Sequence, residues 1–285
     1  MSHISYSQLS MFNECPKHWQ LNYIDKVNVF EPNIYLVFGS AMHTTLQTYL
    51  ETMYKNTVKN ADSLDLYKLL QSNLSDEFTK SKEKFGKNPC TKSELNEFFS
   101  DGINIIDFFK KNRNKYFNKR QELLGCEFPL NVKIKGKLRF VGFIDVIIRD
   151  IQTGRLKVID IKTSTRGWRD YEKKNKNKTS QVLLYKYFYS QKYNVPIDTI
   201  DVEYFIVKRK LWENSEFPQK RVQLFSPSSG NVSMNKVIKS FNHFIDSAFD
   251  EEGKKINKEH NATPSKKSCR WCEFNQTKYC NEGIK

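Results

Sequence analysis

Acidic and basic side chains stand inside two apolar stretches of this 285-residue sequence. Asp145 ends the segment 142–145, and Asp160 and Lys162 lie in the segment 158–163. Two carboxylates beside an ammonium group suit a hard divalent cation such as Mg²⁺ or Mn²⁺, because such cations prefer oxygen ligands. A cation held there can lower the pKa of a bound water and neutralise the charge that develops during phosphodiester hydrolysis. The lysine can position that water and stabilise the transition state.

The three side chains can converge if the two stretches form a β-hairpin. Residues 160 and 162 are two apart on a predicted strand, so their side chains leave the same face. The intervening segment 152–155 contains Gly154 and is typical of a hairpin turn, which would bring Asp145 beside them. The spacing alone equally allows a surface salt bridge among the three residues, because Asp-x-Lys often occurs by chance.

The remaining sequence is mainly helical at first and β-rich later. Apolar residues recur at helical spacing before residue 122, whereas alternating and β-branched runs begin at Cys126. The predicted helices are 5–25, 41–54, 64–85, 93–121, 178–193 and 231–249. The predicted strands are 130–134, 140–148, 156–161, 202–207 and 222–225. We therefore predict an α/β fold with a central mixed β-sheet flanked by helices, in one domain over residues 1–285 with a helical insertion at 55–122.

The composition is strongly basic. The formal net charge is +15, from 47 Lys and Arg against 32 Asp and Glu, and many basic residues fall in the runs 110–115, 173–178 and 208–210. Such runs suit a polyanion because they displace the counterions condensed on phosphates. A solvated, lysine-rich surface would have the same composition, so charge alone does not distinguish a nucleic-acid-binding protein from other basic proteins.

The sequence carries no targeting or membrane signal. It begins without the basic region and apolar run of a signal peptide, and no uncharged apolar stretch is long enough to cross a bilayer. We therefore predict a cytoplasmic protein with no membrane partner, in which thiols stay reduced. Its six cysteines are then better explained as metal ligands or buried thiols than as disulfides. Cys90 and Cys126 have no cysteine neighbour, and Cys126 begins an apolar strand.

The other cysteines have the spacing of a metal site. Cys269, Cys272 and Cys280 lie within twelve residues of one another. A closed zinc site or a 4Fe–4S cluster needs a fourth ligand, and Cys15 is the best candidate. We predict that Cys15 and the segment 262–285 form a metal clasp that joins the two ends of the chain. The spacing leaves both zinc and an iron–sulfur cluster open.

Taken in chain order, these motifs resemble the active-site signature of the PD-(D/E)XK nuclease superfamily. They are most similar to its RecB/AddB-type branch, which includes CRISPR-adaptation nucleases and phage exonucleases. Gly-x-x-Asp at 142–145 and Asp-x-Lys-Thr at 160–163 match the catalytic core, although the proline of the superfamily name is absent, as is common in this branch. The flanking matches are Ser-x-Leu…Cys-Pro at 7–16, Gly-x-x-x-His at 39–43, Gln-x-x-x-Tyr at 181–185 and the cysteine-rich tail.

The resemblance implies a restriction-endonuclease-like core and a metal site inside it. His43, Asp145 and Asp160 would ligate Mg²⁺ or Mn²⁺ together with the backbone carbonyl of Ile161, and Lys162 would be the catalytic lysine. A lone histidine on a helix is more often a capping or core residue. The assignment of His43 as a metal ligand therefore rests on the order of the motifs rather than on its own position.

The resemblance also assigns supporting residues and the cluster. Gln181 and Tyr185 would steady the site and contact DNA, with Glu127 a weaker match on the preceding strand. Residues at i and i+4 on a helix can equally be ordinary surface and packing residues. The four cysteines Cys15, Cys269, Cys272 and Cys280 would hold a 4Fe–4S cluster in preference to zinc.

The function implied by the resemblance is metal-dependent DNA hydrolysis, as an exonuclease on single-stranded ends in recombination, repair or phage DNA processing. Two alternatives stay open: a non-catalytic DNA-binding protein on a nuclease fold, and an endonuclease or RNA-directed nuclease of a CRISPR or restriction system. A degenerate fold would have lost the lysine or a carboxylate, and the sequence retains all three. It has no Walker-type motif, so a helicase or recombination protein acting with it would be a separate chain.

Overall fold

The computed structural model describes residues 2–27 and 29–284 and contains a six-stranded mixed β-sheet. The strands are β1 (His3–Ile4), β2 (Gln121–Lys135), β3 (Leu138–Asp150), β4 (Leu156–Ser164), β5 (Ile200–Lys208) and β6 (Val222–Phe225). Antiparallel pairs join β2 to β3, β3 to β4 and β5 to β6, whereas β1 pairs with β3 and β4 with β5 in parallel. The predicted hairpin turns at 136–137 and 152–155 are confirmed.

One edge of β3 is shared by two strands that do not meet. Strand β2 follows the whole length of β3 on the opposite edge. On the shared edge, β1 pairs with Arg139 and Phe140, and β4 pairs only from Val146 onward. Within the described residues, the segment 141–145 therefore has no partner strand on this edge. The backbone N–H and C=O groups on this edge of the segment are therefore not used in strand pairing.

Helices cover both faces of the sheet. They are α1 (Tyr6–Glu14), α2 (Pro16–Tyr23), α3 (Ile34–Lys55), α4 (Val58–Asp62), α5 (Leu66–Phe85), α6 (Lys92–Asn112), α7 (Asp170–Lys173), α8 (Lys176–Thr179), α9 (Gln181–Tyr193), α10 (Asn231–Ala248) and α11 (Lys266–Cys269). Helices α1, α2, α9 and α10 pack with Phe140, Val158 and Tyr204 on one face, and α3 to α6 pack with Ile159 and Phe205 on the other. This arrangement confirms the predicted α/β class. None of the described helices is long and apolar enough to cross a membrane.

Three helix boundaries differ from the prediction. The helix predicted at 5–25 breaks because Cys15 is extended before Pro16, which begins α2. Helix α3 begins at Ile34, seven residues earlier than predicted, because the Asn33 side chain accepts the first free backbone N–H groups. Helix α6 ends at Asn112, where the Arg113 guanidinium binds a carbonyl of the last turn.

A buried ion-pair network joins α6 to the end of β5. Arg209 and Asp101 are 8% and 6% exposed, and Nη1 of Arg209 lies 2.5 Å from Oδ2 of Asp101. Nζ of Lys210 lies 3.0 Å from the other carboxylate oxygen of Asp101. The Arg209 guanidinium also lies 3.9 Å from the centre of the Phe98 ring. Because each buried charge has a partner, the network fixes α6 at this end of the sheet.

Candidate active site

Asp145 lies at the end of the unpaired segment of β3. The pairing of β3 with β4 begins one residue later, at Val146 and Ile159. In place of a ladder hydrogen bond, the Ile161 backbone N–H donates to Oδ2 of Asp145 at 2.7 Å. The separation of the two strands therefore opens a space beside β4, and the Asp145 carboxylate occupies its edge.

Asp160 and Lys162 leave β4 on the same face, as their spacing predicts. Nζ of Lys162 lies 2.8 Å from Oδ2 of Asp160 and donates to Oε1 of Gln181 at 2.9 Å. The Gln181 side-chain amide in turn donates to the Tyr185 hydroxyl at 3.1 Å. The start of α9 thus holds the lysine from the side opposite the carboxylate.

His43 reaches the same space from the middle of α3. Its Nδ1 lies 3.5 Å from Oδ2 of Asp145, and its side chain is 22% exposed. Burial lowers the pKa of His43 to about 4, although the Asp160 carboxylate acts in the opposite direction. The imidazole is therefore neutral at physiological pH, which is the form that binds a metal ion.

Ionising the buried carboxyl groups of Asp145 and Asp160 is costly without a bound metal cation. Burial raises the pKa of Asp145 to about 7 and that of Asp160 to about 6, although Lys162 lowers both values. For Lys162 itself, burial lowers the pKa, but the Asp160 and Asp145 carboxylates outweigh burial and the net pKa is raised. The lysine is therefore an ammonium ion at neutral pH, the form that donates hydrogen bonds.

The side chains present fit a hard divalent cation. Asp160 is 1% exposed, and its Oδ1 accepts no hydrogen bond from any described residue, which is costly for a buried carboxylate oxygen. Two carboxylates, a neutral imidazole and the nearby backbone of Ile161 form a set of oxygen and nitrogen donors of the kind that Mg²⁺ and Mn²⁺ accept. The structure places His43 against Asp145 and Lys162 against Asp160, although the ligand atoms of His43, Asp145 and Asp160 do not all lie within 4.8 Å of one another.

Gln47 is a supporting residue that the sequence reasoning did not identify. Its side-chain amide donates to Oε1 of Glu127 at 2.8 Å and to the backbone carbonyl of Asp145 at 3.0 Å. Glu127, the weak match on β2, has a left-handed backbone (φ 45°) that turns it toward this contact. The sequence position of Gln47 could have indicated this role, because Gln47 lies one helical turn after His43 and faces the same way.

Each of the three basic runs has part of its charge paired with other described residues. Lys110 donates to the carbonyl of Asp62 at 3.0 Å, and Arg113 pairs with the carboxylate of the same residue at 3.1 Å. The last run belongs to the network of Asp101 described above. In the run 173–178, Lys174 and Lys176 are exposed, whereas Lys173 pairs with Asp170 at 3.6 Å and Lys178 with Glu172 at 2.5 Å.

The four predicted cluster ligands also lie together. Cys15, Cys269, Cys272 and Cys280 line one small cavity between the start of α2 and the tail. The tail is joined to this region by the Thr263 backbone N–H, which lies 3.5 Å from the Cys15 sulfur. Burial raises the pKa of Cys272 to about 11, and the thiols of Cys15 and Cys280 act in the same direction.

A second set of possible ligands shares one of these cysteines. Ligand atoms of His18, Cys272 and Glu273 lie within 4.8 Å of one another. However, Nε2 of His18 is 3.0 Å from both carboxylate oxygens of Glu273, and Asn22 donates to the same carboxylate at 3.2 Å. The histidine and glutamate therefore already satisfy each other. Within the described residues, no three of the four cysteine sulfurs lie within 4.8 Å of one another.

One family model matches most of the chain. The family model of the PD-(D/E)XK nuclease superfamily matches residues 3–280. Among solved structures, 14 chains match, and one of them is the crystal structure of SSO0001. That chain is 12% identical, has a TM-score of 0.34, and aligns over 94% of this chain and 93% of its own length. A comparison with curated proteins finds no match.

Proposed function

Because the chain belongs to the PD-(D/E)XK nuclease superfamily, we propose that it is a divalent-metal-dependent deoxyribonuclease of the RecB/AddB type. The observation that carries the proposal is the convergence of His43, Asp145, Asp160 and Lys162 in the space where β3 and β4 separate. We further propose that the substrate is a single-stranded DNA end, that the activity is exonucleolytic, and that residues 1–285 form one nuclease domain with a helical insertion at 55–122.

The residues divide the chemistry between them. His43, Asp145, Asp160 and the Ile161 carbonyl would hold Mg²⁺ or Mn²⁺, which supplies Lewis-acid activation of water and charge neutralisation when bound. Lys162 donates to the attacking water or the phosphoryl oxygen, because its raised pKa keeps it protonated. Gln181 and Tyr185 keep the ammonium group in place and border the path of the strand. A helicase or recombination protein acting with this nuclease would be a separate partner.

Magnesium binding is expected to stabilise the protein more at pH 8 than at pH 6. With their pKa values raised to about 7 and about 6 by burial, Asp145 and Asp160 hold protons at pH 6 that the cation must displace. Because folding raises the pKa of Asp145 and Asp160, their protonated forms stabilise the metal-free protein at pH values below the pKa that these groups have in the unfolded chain. That contribution is lost as the pH rises through 6 and 7. His43, with a pKa of about 4, is neutral at both pH values.

The measurement is a thermal melt with and without Mg²⁺. At roughly 100 times its Kd, Mg²⁺ should raise Tm by about 5–10 °C at pH 8, and by less at pH 6. Asp160→Asn should remove this shift, whereas Asp170→Asn, whose side chain is 86% exposed, should keep it. Equal shifts at the two pH values, or a shift that survives Asp160→Asn, would place the cation elsewhere.

The activity itself is tested with labelled DNA. We expect the protein, purified without oxygen, to shorten end-labelled single-stranded DNA in Mg²⁺ or Mn²⁺ and to be inactive in EDTA. Comparison of 5′- and 3′-labelled strands gives the direction of cleavage. Circular single-stranded DNA should resist an exonuclease, so its cleavage would indicate an endonuclease. Binding without any hydrolysis would indicate a non-catalytic DNA-binding protein.

We also propose that Cys15, Cys269, Cys272 and Cys280 hold a 4Fe–4S cluster that clasps the two ends of the chain. The shared cavity supports a four-thiolate site, and the resemblance to nucleases with one N-terminal and three C-terminal cysteines favours iron over zinc. The cluster would be structural, because it lies outside the carboxylate site and none of its ligands contacts Lys162.

A further inference from the structure

Two loops leave the sheet at the end nearest the candidate active site. Strands β4 and β5 are parallel and end in register, with Ser164 opposite Lys208. The loop after β4 carries Arg166, and the loop after β5 carries Trp212. The two side chains meet, since the guanidinium carbon of Arg166 lies 4.1 Å from the centre of the Trp212 ring.

The tryptophan of this pair remains in solvent. Trp212 is 54% exposed, and Phe217 in the same loop is 77% exposed. The guanidinium of Arg166 can cover only one face of the indole, and the rest of the ring is free for a second flat group.

Hydrogen bonds to the backbone hold both residues in place. The Gln219 side chain accepts the Trp212 backbone N–H at 2.7 Å and donates to its carbonyl at 2.7 Å. The Gln223 side chain does the same for Trp168, at 2.7 and 3.1 Å, and thereby holds the turn that displays Arg166. Gly167 within this turn has φ +91°, which only glycine adopts easily. Because both loops are ordered in advance, binding a ligand here costs little conformational entropy.

The pair of Arg166 and Trp212 is close to the candidate catalytic lysine, and the chain after Arg166 is rich in basic residues. Arg166 is four residues after Lys162, so the two Cα atoms are at most about 14 Å apart. The segment 164–178 contains six basic and two acidic residues. Phosphates can follow this charge while a neighbouring base reaches the indole. An internal base of a duplex is stacked on both sides, so away from the duplex ends only an unpaired nucleotide offers a free face.

We propose that Arg166 and Trp212 form a stacking platform for one base of an unpaired DNA strand whose phosphate lies at the carboxylate site. This inference rests on the proposed nuclease function and adds to it the residues that select a single strand. Trp212 supplies the stacking surface, and Arg166 positions it and adds a charge near the backbone.

The test is a binding titration of Trp212→Ala in Ca²⁺ without Mg²⁺, with a fluorescent thymidine oligonucleotide and an abasic oligonucleotide of equal length. Loss of one stacked base should weaken binding of the thymidine strand by about 5- to 100-fold. The abasic strand has the same phosphates but no base, so its binding should change little. Trp212→Phe should retain most of the affinity. In hydrolysis assays, KM should rise while kcat stays close to that of the parent.

The matched control is Tyr193→Ala, since Tyr193 is 39% exposed and also lies beside a cationic side chain, that of Lys192 at 5.1 Å. Its DNA affinity should equal that of the parent. Unchanged thymidine-strand binding by Trp212→Ala, or an equal loss with the abasic strand, would overturn the platform while leaving the nuclease proposal intact. A parent protein that neither binds nor cleaves DNA would instead reject both.

Discussion

Replacing Lys162 by alanine is expected to slow DNA hydrolysis by about 10²- to 10⁴-fold. The ammonium group is fixed by Asp160 at 2.8 Å and by Gln181 at 2.9 Å, and its raised pKa keeps it charged during the reaction. Alanine removes the cationic hydrogen-bond donor to the phosphoryl oxygen, and the Gln181 amide that remains is a neutral donor. The measurement is the single-turnover rate on an end-labelled strand at saturating Mg²⁺.

Lys157→Ala is the matched control for this substitution. Lys157 is on the same strand, has a similar exposure (35% against 32%) and also has a carboxylate partner, Glu203 at 3.7 Å. Its loss should leave the rate near that of the parent. The Mg²⁺-dependent rise in Tm should persist in Lys162→Ala, because the metal ligands remain. A Lys162→Ala protein that binds Mg²⁺ and cuts DNA at the parental rate would remove Lys162 from the mechanism.

Replacing Cys15 by serine is expected to remove the metal cluster and to destabilise the whole fold. Cys15 and Cys269 are 254 residues apart in the chain, so their joint ligation closes nearly all of it into one loop. By analogy with a covalent cross-link, loss of such a closure costs about 4–5 kcal/mol, or a decrease in Tm of about 10 °C or more. The visible absorbance of anaerobically purified protein should disappear together with its bound iron.

Cys90→Ser serves as the control, because Cys90 is also partly buried and does not line the cavity of the four cysteines. It should keep both the absorbance and the Tm of the parent. Elemental analysis separates the two metals that the spacing allows, since zinc would give a colourless protein. If Cys15→Ser kept the full metal content and the parental Tm, the clasp would not include the N-terminal cysteine.

The sequence patterns predicted the parts of the fold that depend on local spacing. The turn at 152–155 placed β3 and β4 correctly, and the spacing of Asp160 and Lys162 predicted their common face. The alternation from Leu130 found only the last part of β2, which begins at Gln121. The break before Pro16 was available from the restriction that proline places on its predecessor, yet the apolar period across it favoured one continuous helix.

The arrangement around the candidate site depends on contacts that local patterns do not encode. Nothing in the periodicity of β3 indicates that pairing stops at Val146, since that depends on where β1 and β4 end on the shared edge. The contact of Gln47 with Asp145 spans 98 residues and needs α3 to lie across the sheet. The motif order selected His43 without this information, and the catalytic and ligand roles themselves stay predictions.

The network of Asp101 and Arg209 has a consequence for any attempt to reduce this protein to a smaller catalyst. Phe109 of α6 packs against Phe205 of the sheet, and α5 packs on α3 and α6, so the segment is a structural layer rather than an appendage. A truncation that removed it would leave the Arg209 charge without its Asp101 partner. It would also expose apolar side chains that are now buried, which would favour aggregation. Compact engineered versions would have to shorten the loops and keep these helices.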